Sequence, residues 1–218
     1  MTAGNINLIG CGKVGSAFAI ELEQVGYKVA FVTDTHTERV EQIAGVNLFG
    51  TSSGISKEFI DASGVIIIAV QDKNIREMVQ SIKSLNADLS GKLFFHTSGS
   101  ETSSVFADGG IPKEMSASLH PIQTFMEFSN VNNNLLKNIY FGIEGGSKAV
   151  VYAEELIVAL GSKSIIIPED RKQLYHTACV VSSNFLVTLL NIAAEFSSSV
   201  GIEKSEMFNV FKPIIEKT

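Results

Sequence analysis

The stretch Ile6-Asn7-Leu8-Ile9-Gly10-Cys11-Gly12-Lys13-Val14-Gly15-Ser16-Ala17 joins an apolar run, a glycine-rich turn and the small residues that open a helix. In such a turn the first glycine permits a tight bend, the second lets the backbone approach a pyrophosphate, and the third allows close helix-to-strand packing. The helix N-terminus then faces the anion. A purely structural glycine turn is the alternative. The full context predicts a dinucleotide site made by Gly10, Cys11, Gly12, Lys13, Val14 and Gly15.

An acidic residue about twenty positions after the glycines completes this signature. Asp34 ends the second strand-like segment, where a carboxylate can accept hydrogen bonds from the adenosine ribose and repel a 2′-phosphate. This favours NAD, although Arg39, one turn into the next helix, could admit NADP. Val70, Gln71 and Asp72 end the fourth strand, where the loop is predicted to pass the nicotinamide ribose. For both aspartates a helix cap is the alternative.

Segments rich in β-branched and aromatic residues alternate with amphipathic, helix-length stretches as far as Pro168. This alternation is typical of βαβ units around a parallel sheet. Residues 1–168 are therefore predicted to form an α/β domain with a Rossmann-type, doubly wound and mostly parallel sheet. The predicted strands cover residues 6–9, 29–33, 46–49, 65–70, 93–96, 116–119, 139–144 and 164–167, and the clearest helices cover 14–25, 37–43, 74–85 and 148–160.

The character of the sequence changes after Pro168, because no strand signal follows it. Residues 169–218 are predicted to form an all-helical second domain that contains one long helix over about residues 170–200. Apolar residues cover most of the circumference of that helix, which predicts burial on several sides. The rest of the chain offers few partners for it. We therefore expect the domain to be incomplete here or completed by another subunit, in a homodimer.

Two polar segments follow predicted strands, at the edge of the sheet where ligands of α/β proteins collect. Thr97, Ser98 and Gly99 could hold an anionic or carbonyl group through hydroxyls and backbone amides. His120 could donate a proton or a hydrogen bond near neutral pH. A histidine beside a proline can equally fix a turn by hydrogen bonding, so both roles stay open for His120.

The predicted long helix carries a polar stripe. An α-helix turns by about 100° per residue, and at that rate four polar residues lie within about 40° of one another around the helix axis. They are Lys172, His176, Cys179 and Ser183. Because a buried polar stripe costs free energy unless it is satisfied, it is predicted to face a cleft or a ligand. Lys172 and His176 thus join His120 as candidate acids or bases, and Asn184 is a candidate substrate ligand. Simple solvation of Lys172 is the alternative.

Composition excludes several classes of function. The net charge of −6 leaves no basic face for a phosphate backbone, which argues against nucleic acid as a partner. The N-terminus lacks a basic n-region, and uninterrupted apolar runs such as 64–70 are too short to cross a bilayer, so we expect a cytoplasmic protein without membrane contact. Two cysteines and four histidines without ligand spacing give no support for a metal site.

Four blocks carry a family resemblance: GCGKVGSAFA (10–19), HTSGS (96–100), SLHPIQTF (118–125) and KQLYHTACVVSSNFLVTL (172–189). With them the chain resembles the Rossmann-like proteins that carry a C-terminal domain of unknown function 2520. That group is similar to the deazaflavin-dependent NADP oxidoreductases and, more distantly, to the β-hydroxyacid dehydrogenases, ketopantoate reductase and pyrroline-5-carboxylate reductase. The resemblance covers essentially the whole chain and implies a two-domain reductase, without implying a substrate.

Three departures from the resemblance bear on function. Members often show a Ser-Arg pair suited to NADP after the second strand, where this chain has Asp34-Thr35. Members usually continue for several dozen residues past Thr218. In the β-hydroxyacid dehydrogenases a catalytic lysine is followed one turn later by asparagine, whereas here Lys172 is followed by His176.

Three functions are compatible with these residues. The first is an oxidoreductase that transfers hydride between a nicotinamide and the carbonyl, imine or alcohol carbon of a small, anionic metabolite. The second is a regulatory protein that senses NAD(P) without turnover, because no decisive catalytic constellation is present. The third is a prephenate or arogenate dehydrogenase, suggested by the His120-Pro121 pair. That reaction needs an arginine for the substrate carboxylate, and Arg171 is the only arginine near the predicted cleft.

Overall fold

The protein is described by a computed structural model that covers residues 4–44, 50–52, 54–125 and 134–217. The chain divides into two compact units between Tyr175 and His176. The described residues of the first unit contain eight strands, which form one sheet. The second is helical throughout its described residues. The α/β class with a Rossmann-type sheet followed by a helical region is confirmed.

The sheet has the strand order β3-β2-β1-β4-β5-β6-β7-β8. All neighbouring strands are parallel except β6 and β7, which are antiparallel. Crossing from β1 to β4 reverses the winding, which creates the switch point where ligands of doubly wound sheets bind. The strands are β1 Ile6–Ile9, β2 Val29–Thr33, β3 Gly50–Ser52, β4 Val65–Ile68, β5 Leu93–His96, β6 Ser116–Pro121, β7 Tyr140–Gly145 and β8 Lys163–Ile166.

Helices cover both faces of the sheet, and this explains why the central strands are almost continuously apolar. Successive side chains of a strand point to opposite faces. In β4, Val65 and Ile67 enter one apolar core, and Ile66 and Ile68 enter the other. The helices of the first unit are α1 Lys13–Gln24, α2 Thr37–Ala44, α3 Lys57–Asp61, α4 Asp72–Ser84 and α5 Ser147–Ala159.

Seven predicted strands overlap described strands. The predicted third strand at residues 46–49 lies outside the described residues, and the described β3 begins at Gly50. Strand β6 extends two residues beyond its predicted end, as far as Pro121. The extension is explained by the antiparallel ladder, in which His120 and Pro121 pair with Gly142 and Phe141.

One further helix, α6 Lys172–Val180, begins in the first unit and continues into the second. It leads into a π-helical segment, Val181–Phe185, then α7 Leu186–Ser199 and α8 Lys204–Ile215. Sequence predicts burial of this helical run on several sides, and that prediction is wrong for the single chain. Phe196 is 72% exposed and Leu189 is 64% exposed. The described part of the chain does not supply apolar surface to cover them.

The helical run Glu169–Ser199 is 31 residues long, with a window of mean hydropathy 1.6. By length and composition alone it could cross a membrane. The absence of membrane contact therefore stays a prediction, since it was based on uninterrupted apolar runs and did not consider this helix. Counting uninterrupted apolar runs misses it, because serine, asparagine and histidine residues punctuate its sequence.

Candidate functional site

The glycine loop between β1 and α1 has the geometry of a dinucleotide cradle. Gly10 has φ +98°, and a Cβ there would lie 2.5 Å from the Ala69 carbonyl oxygen. A Cβ on Gly15 would overlap the Gly10 carbonyl oxygen. A Cβ on Gly12, in contrast, would meet no protein atom within 4 Å. Packing inside the protein thus requires Gly10 and Gly15, whereas Gly12 faces open space that suits the close approach of a ligand.

The other predicted members of the loop lie at the start of α1. Lys13 is exposed and Val14 is half-buried. The N–H groups of a first helical turn have no partner within their own helix, so they are ready donors for an anion. Cys11 differs, because its backbone N–H donates to Asp34 Oδ2 at 2.6 Å. The loop therefore connects to the acidic residue directly.

Asp34 lies at the end of β2 with its side chain 10% exposed. Its Oδ1 accepts a hydrogen bond from the His36 backbone N–H at 2.8 Å. Although burial raises the pKa of Asp34, hydrogen bonds from the N–H groups of His36 and Cys11 outweigh it and lower this pKa below the ordinary value. The carboxylate is therefore ionised at neutral pH, as a ribose-binding acceptor must be.

A cavity of about 270 Å³ opens beside Asp34. Residues from four parts of the first unit line it: Ile9, Gly10, Thr33, Asp34, Thr35, Gly54, Val70, Asn74, Glu77 and Met78. It lies at the carboxyl ends of β1, β2 and β4, where a Rossmann-type sheet holds its nucleotide. Its mixed lining, with apolar walls and the carboxylates of Asp34 and Glu77, suits a ligand that has both an apolar ring and hydroxyl groups.

Of the three predicted residues after β4, Val70 lines this cavity. Gln71 is the N-cap of α4 but makes no side-chain cap hydrogen bond, and Asp72 is the first residue of the helix. The alternative that Asp72 is the N-cap is therefore wrong. Its Oδ2 instead accepts a hydrogen bond from Ser100 Oγ at 2.7 Å. Asp72 thus connects α4 to the segment after β5.

A row of polar side chains crosses one face of the sheet. Strand register places His96 of β5 beside Ser118 of β6, and Ser118 opposite Glu144 of β7. All three residues are at least 98% buried. Glu144 accepts two hydrogen bonds of 2.7 Å, from the backbone N–H and the hydroxyl of Ser103. Buried polar groups need such partners, and Glu144 finds them in Ser103, within the first unit.

Lys172, in the first turn of α6, completes the row and is 1% exposed. Its Nζ donates to Ser118 Oγ and lies 4.0 Å from Glu144 Oε2. Burial lowers the pKa of Lys172 to about 8, although the carboxylates of Glu144, Asp72 and Glu101 oppose this. The alternative that Lys172 is a solvated surface lysine is wrong. Its ammonium group can titrate close to the neutral range.

His96 lies at the other end of the row. Burial, reinforced by the positive charge of Lys172, lowers the pKa of His96 to about 4. The ring is therefore neutral, and its Nδ1 accepts a hydrogen bond from the Ser98 N–H at 3.3 Å. His96 also stacks on Phe106, with ring centroids 5.4 Å apart. These contacts hold the start of the segment that contains the predicted substrate ligands.

The predicted substrate ligands lie in a tightly bonded turn after β5. Ser98 is buried and its Oγ accepts from the N–H groups of Ser100 and Glu101 at 3.1 and 3.0 Å. Its carbonyl oxygen accepts from Ser118 Oγ at 3.0 Å. Thr97 is half-buried and Gly99 is buried. This bonding holds the turn rigid, and Thr97 is its most accessible predicted ligand.

His120, at the end of β6, is half-buried and forms a pair with Tyr175 of α6. The Tyr175 hydroxyl lies 2.7 Å from His120 Nδ1, and the rings are edge to face with centroids 5.6 Å apart. The first unit therefore places the Ser98 turn and His120 at the ends of the adjacent strands β5 and β6, with Lys172 of α6 bonded to Ser118 of β6. Of the remaining predicted residues, His176 and Asn184 belong to the second unit. Asn184 is exposed and lies in the π-helical segment.

Sequence reasoning missed four residues of this region: Ser103, Ser118, Glu144 and Tyr175. One signal was available, because Glu144 interrupts an apolar strand that is otherwise buried. A charged residue at such a position needs a partner, and Lys172 was the candidate with the opposite charge. Ser118 and Tyr175 carried no comparable signal.

Two family models match the chain. One is described as a Rossmann-like domain and matches residues 2–121. The other, described as Domain of unknown function (DUF2520), matches residues 139–218. Together they confirm the resemblance drawn from the four sequence blocks. No curated protein matches the sequence significantly.

Several solved structures have a similar fold. A proposed NADP oxidoreductase from Bacteroides fragilis is 22% identical with a TM-score of 0.73, over 99% of this chain and 78% of that one. A 1-pyrroline-5-carboxylate reductase from Streptococcus pyogenes is 15% identical with a TM-score of 0.73, over 100% and 78%. A reductive aminase from Aspergillus terreus, in complex with NADPH and ethyl-5-oxohexanoate, is 14% identical with a TM-score of 0.74, over 99% and 73%. These likenesses establish the shared fold.

Proposed function

The chain belongs to the Rossmann-like domain family, and on that premise we propose that it is a nicotinamide-dependent oxidoreductase acting on a small metabolite. The observation that carries the proposal is the glycine loop. Gly10 and Gly15 are required by packing within the protein, while Gly12 opens onto empty space beside an ionised Asp34. An open glycine next to a helix N-terminus and a ribose-type carboxylate is the donor and acceptor set that a dinucleotide needs.

We propose that NAD is preferred over NADP. The Asp34 carboxylate is ionised and held by the Cys11 N–H, so its negative charge would lie beside a 2′-phosphate. The nearby basic side chains, those of His36 and Arg39, are exposed. The names of two similar structures mention NADP or NADPH, so a preference for NAD would set this chain apart from them.

The test is a fluorescence titration of the purified protein with NADH and NADPH. We expect NADH to bind with a micromolar dissociation constant and NADPH to bind at least tenfold more weakly. Gly12→Asp should abolish both, and Asp34→Arg should shift the preference toward NADPH. Ser84→Asp, which adds the same charge at an exposed position of α4, is the matched control. The proposal would be refuted if the protein bound neither NADH nor NADPH.

A nicotinamide supplies or accepts a hydride when it is bound. The chain's own residues then have to bind the substrate and move one proton. We propose that Thr97 and the Ser98 turn hold a polar substrate group and that half-buried His120 gives or takes the proton. Lys172, buried behind Ser118, acts by its positive charge and by fixing the Ser98 carbonyl through that serine. His176 and Asn184 remain candidates for the substrate side.

Carbonyl and imine metabolites are the substrate classes to screen first. The similar structures include a pyrroline-5-carboxylate reductase and a reductive aminase, both named for imine chemistry. We expect substrate-dependent oxidation of NADH that falls at least a hundredfold in His120→Gln. Micromolar NADH binding without oxidation by any carbonyl or imine would instead establish a nucleotide-sensing protein.

We also propose that the helical unit associates with a second copy of the chain. Phe196, Leu189 and Phe185 are all more than half exposed on adjoining helical segments. A two-fold dimer is the commonest way to cover such a surface. Light scattering should give a mass of 47 kDa, twice the 23.5 kDa of one chain. Phe196→Glu should reduce the mass, whereas Val158→Glu, at an equally exposed apolar residue of α5, should not. A monomer that partitions into lipid vesicles would refute the dimer.

A further inference from the structure

Tyr175 lies over the antiparallel strands β6 and β7, in contact with His120. The phenol oxygen is 2.7 Å from His120 Nδ1, and the two rings meet at 87°. This is a short hydrogen bond supported by an edge-to-face aromatic contact. Nδ1 is therefore the imidazole nitrogen of His120 that faces the Tyr175 phenol.

The sequence of β7 makes room for this tyrosine. Gly142 pairs directly with His120 across the antiparallel ladder, so the two residues share one face of the sheet. A Cβ on Gly142 would lie 2.5 Å from Tyr175 Cζ. Any side chain at residue 142 would therefore displace the phenol from His120. The absence of a side chain at Gly142 is an independent sign that this placement is built into the fold.

We propose that Tyr175 is a positioning residue that sets the tautomer of His120, by donating its hydroxyl proton to Nδ1 and leaving the ring proton on Nε2. The direction of donation follows from acidity and basicity. A phenol, with an ordinary pKa of about 10, is a better donor than a neutral imidazole N–H, and an imidazole nitrogen is a better acceptor than a phenol oxygen. The paired arrangement therefore places the acceptor lone pair of His120 toward Tyr175.

This role rests on the proposed oxidoreductase function and deepens it. With its proton on Nε2, His120 can give that proton to the oxygen or nitrogen of a reduced substrate. The proton lost from Nε2 is replaced at Nδ1 by the phenol proton of Tyr175, so the imidazole stays neutral. The phenolate that remains recovers a proton from water. In the reverse direction each proton moves back along the same two bonds.

The tautomer can be measured without cofactor or substrate. Long-range ¹⁵N–¹H correlation spectra of the full chain at about pH 8, where an ordinary imidazole is neutral, distinguish a protonated from an unprotonated Nδ1. His120 is assigned among the four histidines by the signals lost in His120→Gln. We expect an unprotonated Nδ1 and a protonated Nε2 in the wild-type protein.

Tyr175→Phe retains the ring above Gly142 and removes only the hydroxyl. We expect it to lower the ratio of Nε2–H to Nδ1–H tautomers at His120 roughly fivefold, the effect of losing one neutral hydrogen bond. Tyr140→Phe, the same change at a 46% exposed tyrosine, should leave the His120 signals unmoved.

A wild-type spectrum with the proton on Nδ1 would overturn the proposal, even if no variant folded. So would an unchanged His120 tautomer in folded Tyr175→Phe. Neither result depends on nucleotide binding, so each leaves the proposed oxidoreductase function standing. Conversely, a failure to bind NADH and NADPH would refute that function without altering the measured tautomer.

Discussion

Acid should destabilise this protein through one buried histidine. His96 is completely buried in the polar row, stacked on Phe106, and its pKa is lowered from 6.5 to about 4 by burial and by the charge of Lys172. Below pH 6.5 the unfolded chain takes up a proton at this residue that the folded chain does not. The contribution of the neutral His96 ring to the free energy of unfolding is therefore fully present above pH 6.5 and is lost as the pH falls through 4.

The size of the effect follows from the two pKa values. One pKa unit corresponds to about 1.4 kcal/mol, so His96 should lower the free energy of unfolding by about 2 kcal/mol at pH 5 and about 3 kcal/mol at pH 4, relative to neutral pH. Carboxylates that are paired in the folded state add to acid destabilisation. The contribution of His96 is therefore the difference between the wild-type profile and that of a variant without this imidazole.

The assay is urea unfolding followed by circular dichroism between pH 7 and pH 4, since the chain has no tryptophan. His96→Gln should lower the free energy of unfolding at pH 7, and it should also make that free energy depend less on pH. The difference in free energy of unfolding between wild type and variant should therefore be about 3 kcal/mol smaller at pH 4 than at pH 7. His36→Gln is the control, because that side chain is 63% exposed. If the free energy of unfolding fell by the same amount between pH 7 and pH 4 in His96→Gln and in wild type, the reasoning would be refuted.

Two sets of substitutions test the packing of the loop and the buried charges. Gly15→Ala should lower the free energy of unfolding by about 1–3 kcal/mol in urea titrations, because its Cβ overlaps the Gly10 carbonyl oxygen; unchanged stability would contradict that overlap. Lys172→Met should cost about 3–5 kcal/mol by leaving a buried carboxylate unpaired, and adding Glu144→Gln should recover part of it. Additive losses would show that these two side chains are not coupled, and exposed Lys148→Met should cost little.

The nucleotide half of the site could be predicted from the sequence because its signals are local. Gly10, Gly12 and Gly15 are within six residues, and the strand before them and the helix after them are visible as patterns. Asp34 follows at the spacing set by one helix and one strand. Each residue's role depends on its own backbone position, which a single sequence can indicate.

The polar row could not be predicted, because it depends on which strands are neighbours. Ser118 and Glu144 are 26 positions apart and meet only because β7 runs antiparallel to β6. A parallel β7, as the rest of the sheet suggests, would bring other residues beside Ser118. Tyr175 of α6 contacts His120 across 55 positions, a distance in sequence that local patterns do not bridge. Hydrophobic periodicity identifies strands but does not fix their pairing or register.

Hydrogen bonds also connect the two halves of the candidate site. The turn after β5 accepts one from Gln173 of α6, at 3.0 Å to the Ser100 carbonyl, and one from Ser118 of β6 to the Ser98 carbonyl. From the nucleotide side, Ser100 Oγ donates to Asp72 in the first turn of α4. Two hydrogen bonds thus join Gln173, near the start of α6, to Asp72, at the start of α4, and both are made by Ser100. Ser100 is therefore the residue that links the proposed substrate side of the site to the proposed cofactor side.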